Sequence, residues 1–170
     1  GMHNQLAPSR LYFRQLEDEY GQAIIDDGQP YIPNKKLGMT QSQHFIIAYD
    51  RSLGKNTRLK TEVYYQILGN VPVNNTYGAY SILNYGANFE LAFPDTLVNE
   101  GTAYNYGLEM TLEHFLHKGF YYLLTASLYE SKYTGSDGVL RNTAFNGNYT
   151  INLLLGKEFR FNNKKETKKS

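Results

Sequence analysis

The chain has 170 residues, a formal charge of +1, no cysteine and no tryptophan. That length fits one domain, the missing cysteines exclude a disulfide framework and any thiolate metal site, and the near-neutral charge argues against a nucleic-acid binder, which carries a basic patch or stripe. Lysines and arginines at close intervals leave no run of ~18 apolar residues for a membrane-spanning helix.

Tyrosine and phenylalanine contribute 16 and 9 residues, and charged residues only 19%, against ~25% in typical soluble domains. With 15 glycines, this is a β-sheet composition. Residues 1–12 read as a partial strand. Residues 11–20 (LYFRQLEDEY) hold about two helical turns at most. Residues 13–41 read as a long loop, broken by Asp26-Asp27-Gly28, Pro30 and Pro33.

Five strands follow. Near 42–53, Phe45, Ile47 and Tyr49 alternate with His44, Ala48 and Asp50. From Thr57 to Leu68, the odd set Thr57, Leu59, Thr61, Val63, Tyr65 and Ile67 faces away from Arg58, Lys60, Glu62, Tyr64, Gln66 and Leu68. Over 103–116, Tyr104, Tyr106, Leu108, Met110 and Leu112 oppose Asn105, Gly107, Glu109, Thr111 and Glu113. Over 119–132, Tyr122, Leu124, Ala126 and Leu128 oppose Tyr121, Leu123, Thr125, Ser127, Tyr129 and Ser131. Over 147–161, Ile151, Leu153, Leu155, Phe159 and Phe161 oppose Asn148, Thr150, Asn152, Gly156, Glu158 and Arg160. This is period-two alternation, with most of the charge on one face. Each strand is about twice the usual soluble length of ~5–6 residues.

The connections alternate in length. Ser52–Asn56 and Leu116–Gly119 are tight turns with glycine placed for positive φ. Residues 69–102 and 133–146 are long loops. Short turns therefore fall at one end of the sheet and long loops at the other. Long strands that alternate apolar and polar, short turns opposite long loops, and aromatics at the strand ends together characterise an outer-membrane barrel. A sheet can span a bilayer only as a closed barrel, because every backbone amide must be paired inside the protein. Lys157 interrupts one apolar set near a strand end, where a long side chain can snorkel to the interface. Alternation alone is equally compatible with a soluble ligand-binding sandwich or barrel, such as a carbohydrate-binding module. A structural outer-membrane barrel without a transport role is a further alternative. Five full strands and a partial one fall short of the ~8 that the smallest bacterial barrels need. The chain is therefore expected to be a segment, 1–170, of a larger antiparallel up-and-down barrel. It is likewise read as lacking a signal peptide and as ending in a hydrophilic tail, 162–170, as expected of a segment.

The run Leu97-Val98-Asn99-Glu100-Gly101-Thr102-Ala103-Tyr104-Asn105-Tyr106-Gly107-Leu108-Glu109 resembles a segment of TonB-dependent outer-membrane receptors of Bacteroidetes-type bacteria. So do 59–66 (LKTEVYYQ), 118–122 (KGFYY), 126–133 (ASLYESKY), 135–138 (GSDG) and 141–147 (RNTAFNG). The resemblance spans most of 40–161. It implies a barrel of about 22 strands with an N-terminal plug, importing a bulky nutrient with force from the TonB complex in the inner membrane. Plug, TonB-contacting segment and closing strand find no match in these residues. The chain is thus expected to supply wall strands and ligand-facing loops, and to contact TonB only through regions it does not contain.

Catalysis is not expected. Glu109 and Glu113 share a strand face but lie about 13 Å apart by strand rise, beyond the ~6.5–9.5 Å of an inverting carboxylate pair. His44, His114 and His117 lack metal spacing. Gly135-Ser136-Asp137-Gly138 lacks the ligand series of a calcium loop and reads as a surface turn. No phosphate or dinucleotide fingerprint occurs, so no cofactor or metal is expected. Lys164, Lys165, Lys168 and Lys169 read as a solvated tail. The candidate ligand residues are Asn74, Asn75, Tyr77, Tyr80, Asn84 and Tyr85, because aromatic faces beside amides suit a glycan, a peptide or a metal chelate.

Overall fold

The computed structural model describes residues 1–87 and 96–159. Four long antiparallel strands form a meander: β4 (Thr40–Ser52), β5 (Thr57–Asn74), β6 (Leu97–His117) and β7 (Phe120–Thr134). The first is flanked by β1 (Met2–Gln5), which pairs with the start of β4. The free edge of β7 is shared by β8 (Leu140–Asn142) above and β9 (Tyr149–Lys157) below. The all-β, antiparallel expectation therefore holds.

The short turns form as their residues dictate. Lys118 and Gly119 both take positive φ, 51° and 81°, the geometry that matches the twist of the flanking strands in a two-residue hairpin. Asp27 and Gly28 do the same between β2 (Ile25–Asp26) and β3 (Gln29–Pro30).

The long-loop end departs from the sequence reading. The expected loop 69–102 is shorter, because β5 continues to Asn74 and β6 begins at Leu97. Bulges between Leu68 and Val73 let this happen: Asn70 adopts a left-handed φ of 55°, and Pro72, which has no amide to donate, is accommodated at the irregularity. Asn99 holds the bulge, donating from Nδ2 to the Asn70 carbonyl at 2.8 Å and accepting from the Gly38 amide at 2.7 Å.

The expected helix within 11–20 shrinks to one turn, α1 (Ser9–Tyr12). Downstream, the Asp18 carboxylate accepts from the Tyr20 and Gln22 amides, and Glu17 bridges to Ala23. A short acidic side chain that captures nearby amides competes with helix formation.

Buried hydrophobics concentrate at the long-loop end. Leu68, Val71, Ala103 and Tyr133 pack with Ile82 and Leu83. Leu11, Val73 and Leu97 are also buried there or in the adjoining N-terminal segment. Buried Asn34 joins that segment to the sheet by accepting from the Leu97 amide at 2.8 Å. The middle of the sheet has no such cover among the described residues.

Candidate functional site

The register places the apolar residues of five strands side by side. Ile47, Val63, Leu108, Leu128 and Tyr149 form one cross-strand row, and Tyr49, Thr61, Met110, Ala126 and Ile151 the next. A third row runs Arg51, Leu59, Leu112, Leu124, Leu153. This face is open: Ile47 is 78% exposed, Ile151 65% and Leu153 61%. A contiguous exposed apolar face across five strands is unusual on a soluble monomer.

Aromatic rings close the patch at both ends. Towards the long loops, Tyr65 and Tyr104 stack on Tyr106, with centroids 6.5 and 6.3 Å apart. Towards the short turns, His114 and Phe120 lie against Tyr122 at 5.2 and 6.0 Å. Eight residues of β6 separate Tyr106 from His114, about 27 Å along the strand at ~3.4 Å per residue.

The opposite face is polar. A hydrogen-bonded ladder crosses the sheet near the long-loop end. The Thr143 hydroxyl donates to Ser131 Oγ (2.8 Å) and Ser131 Oγ to Asn105 Oδ1 (2.6 Å). Asn105 Nδ2 then donates to Gln66 Oε1 (2.7 Å), and Gln66 Nε2 to Ser42 Oγ (2.8 Å). Lower down, Arg58 pairs with Asp50, and Lys60 Nζ sits 2.5 Å from Glu62 Oε2. Glu62 lies directly across from Glu109. Like charges facing each other are unfavourable and are tolerated where water screens them. Ile46, Leu123 and Leu154 break the polar pattern on this face.

Two glycines on the polar face carry tyrosine rings. Tyr64 pairs with Gly107, and Tyr121 with Gly156. A Cβ at Gly107 would lie 2.8 Å from Tyr64 Cε1 and 2.7 Å from the Leu128 carbonyl. At Gly156 it would collide with the Tyr121 ring. Only glycine lets a ring lie against the neighbouring strand in this way.

The loop candidates separate into anchors and free groups. Asn84 Oδ1 accepts from the Ala144 amide at 2.8 Å, and Asn74 Oδ1 from the Thr76 amide at 3.3 Å. Both are committed to holding backbone. The Tyr85 ring lies under the Arg10 guanidinium, 4.9 Å away. Tyr80 is half-buried, and burial raises its phenol above the usual value. Its hydroxyl has no hydrogen-bond partner among the described residues. Asn75 and Tyr77 remain exposed, Tyr77 at 83%.

No protein family, curated protein or solved structure matches the chain.

The sequence reading missed a clasp between the two long loops. Ser136 Oγ donates to the Thr76 carbonyl at 2.7 Å and accepts from the Gly78 amide at 3.1 Å. The Tyr133 hydroxyl donates to the Ala79 carbonyl at 2.9 Å. Arg141 pairs with Asp137 through two hydrogen bonds, 2.8 and 2.6 Å, which hold the Asp137 carboxyl below the usual range. The turn 135–138 is thus a fastener between loops. The Gly-Ser-Asp-Gly string signalled only a turn, because its partners lie about sixty residues away.

Among the described residues no group of three or more acidic or histidine side chains gathers to hold a metal. Glu109 and Glu113 stay apart, facing Glu62 and Arg58 respectively. Leu6, Ala7, Tyr12, Phe13 and Ile32 line an open groove of about 540 Å³ on the N-terminal segment. Its chemistry is limited to apolar contact, with Ser9 and Lys35 as the polar members of the lining. The tail lysines 164, 165, 168 and 169, together with Arg160 and Phe161, lie outside the described residues.

Proposed function

We propose that this chain is a wall segment of an outer-membrane β-barrel, of the TonB-dependent receptor type, serving uptake of a nutrient ligand. The supporting observation is the open apolar face, bounded by aromatic rings, behind which lies a hydrated polar face. A bilayer covers such a face, and the polar face then lines a wet lumen.

Dimensions agree with this reading. From the row of Arg51 to the row of Lys157, β7 moves four residues, Leu124 to Phe120. That is about 14 Å along the strands, against about 19 Å across four strand spacings of ~4.8 Å. The line joining the two outward cations lies about 35° from the hydrogen-bond direction; with both cations at one interface the strands would tilt by about 35°, within the ~35–45° of membrane barrels. With that tilt, the ~27 Å between the rings on β6 becomes a band about 22 Å tall, near the ~25 Å of outer-membrane barrels.

A soluble sandwich needs these leucines enclosed, whereas Leu108 is 41% exposed and Leu153 61%. The receptor assignment, as distinct from the membrane one, is supported by the sequence resemblance and by the fastened loops that present Tyr77 and Asn75. In this reading the chain binds and guides a ligand and catalyses nothing.

In the producing cell, the polypeptide that carries this chain is expected in the outer-membrane fraction, resistant to alkaline extraction. Recovery in the soluble fraction would overturn the proposal. Uptake through it is expected to stop when the proton gradient that energises TonB is dissipated. Uptake that continues unchanged would leave a passive barrel in place of a receptor.

A further inference from the structure

Among the described residues, the outward face carries, at the short-turn end, cations that face no carboxylate across the sheet. Arg51 ends the row that continues through Leu59, Leu112, Leu124 and Leu153, and Lys157 stands beside Phe120. Lys55 and Lys118 project from the two short turns at the same end, and both are exposed. Arg51 donates to the Tyr49 hydroxyl at 3.5 Å, leaving most of its guanidinium donors available. The Lys157 ammonium lies 5.0 Å above the Phe159 ring. The nearby carboxylates are turned elsewhere: Asp50 pairs with Arg58 on the polar face, and Glu113 lies across from Arg58 on that same face. Glu158, which shares a hollow with Lys118 and Gly119, is the carboxylate that borders the rim.

The other end of the outward face is different. There Lys132 is neutralised by Glu130 at 3.1 Å, and the Tyr106 hydroxyl also donates to Glu130 at 2.8 Å. The apolar surface thus has a neutralised rim on the long-loop side and a cationic rim on the short-turn side.

A cation beside leucines in hydrocarbon is costly unless its charged head reaches the polar interface. An anionic head group there adds about 1 kcal/mol per cation near the surface, or about fivefold in affinity. We infer that the short-turn rim, formed by Arg51, Lys55, Lys118 and Lys157, binds the head groups of anionic phospholipids in the leaflet it meets. The inference rests on the proposal that the apolar face is lipid-covered. It adds which lipid class the lower edge selects. Arg51 and Lys157 lie on the strands, and Lys55 and Lys118 lie on the turns just beyond them, so the four cations border the same end of the apolar face.

The test is co-flotation of the whole polypeptide that carries this chain with vesicles of phosphatidylcholine alone or with about 30% phosphatidylglycerol. At low salt, the chain is expected to bind the anionic vesicles at least about tenfold more tightly, and raising the salt should shrink that preference. Arg51→Gln, Lys55→Gln, Lys118→Gln and Lys157→Gln are each expected to lower binding to the anionic vesicles by about fivefold. Lys132→Gln should leave the preference unchanged, and Glu158→Gln should increase it. Equal binding to both vesicle types, or an equal loss from Lys132→Gln, would overturn the lipid selection while leaving the membrane reading intact. Failure to bind either vesicle would remove both.

Discussion

Gly107 is a residue at which a ring on the polar face packs tightly against backbone. Tyr64 and Tyr129 flank it in one cross-strand row, and it is buried. A methyl there would press on the Leu128 carbonyl and the Tyr64 ring, 2.7 and 2.8 Å away. Backbone cannot yield, whereas a ring can be removed. Gly107→Ala is therefore expected to destabilise the folded state by ~1–3 kcal/mol, the usual cost of overpacking. Adding Tyr64→Ser should recover only part of this loss, because the carbonyl clash remains. Denaturant titration in vesicles measures both variants, and a fully neutral Gly107→Ala would show that ring and backbone are not held as described. The glycine itself was visible in the sequence as a member of the polar alternation. Its reason was not, since the covering ring comes from a strand more than forty residues earlier.

At the scale of elements, the clasp between loops 75–87 and 135–142 should respond to acid in a definite direction. The Asp137 carboxyl is held below its ordinary value by Arg141 and then by the Val139 amide. A carboxylate with a depressed folded value stabilises above its unfolded pKa of ~3.9 and loses that contribution as pH falls through the lower folded value. The clasp should therefore stay closed at neutral and mildly acidic pH and open only below the ordinary aspartate range. Hydrogen exchange at the Gly78, Asp137 and Val139 amides reads this, and Asp137→Asn should bring the opening to neutral pH. Opening of the wild-type clasp already near pH 6 would contradict the assignment.

Elements were legible wherever alternation was long. Both short turns and the middles of five strands stand where the pattern put them, although the fifth, expected over 147–161, is confined to Tyr149–Lys157 among the described residues; a face of one kind imposes a strict period of two. Legibility failed at the long-loop end, where Asn70, Gly101 and Asn99 build bulges whose partners are remote. The loop candidates suffered the same limit. Asn84 and Asn74 have the composition of ligand contacts, yet their amides cap neighbouring backbone, and short polar side chains serve both purposes equally well.

At the scale of the whole molecule, the sheet carries two open edges among the described residues. Among the described residues, β9 is bonded on one side to β7, and β4 meets the N-terminal segment over Thr40–His44 alone. Long unpaired edges invite further strands, as a larger barrel would supply. The central claim concerns the two faces between those edges, and β6 tests it best because it is paired on both sides. The native chain has no cysteine, so single cysteines at positions 108 to 113 can each carry a spin label in vesicles. Labels at Leu108, Met110 and Leu112 are expected to be accessible to oxygen dissolved in lipid. Those at Glu109, Thr111 and Glu113 are expected to be accessible to a water-soluble nickel chelate, with a period of two throughout. An inverted pattern, or leucine positions closed to both reagents, would contradict the account.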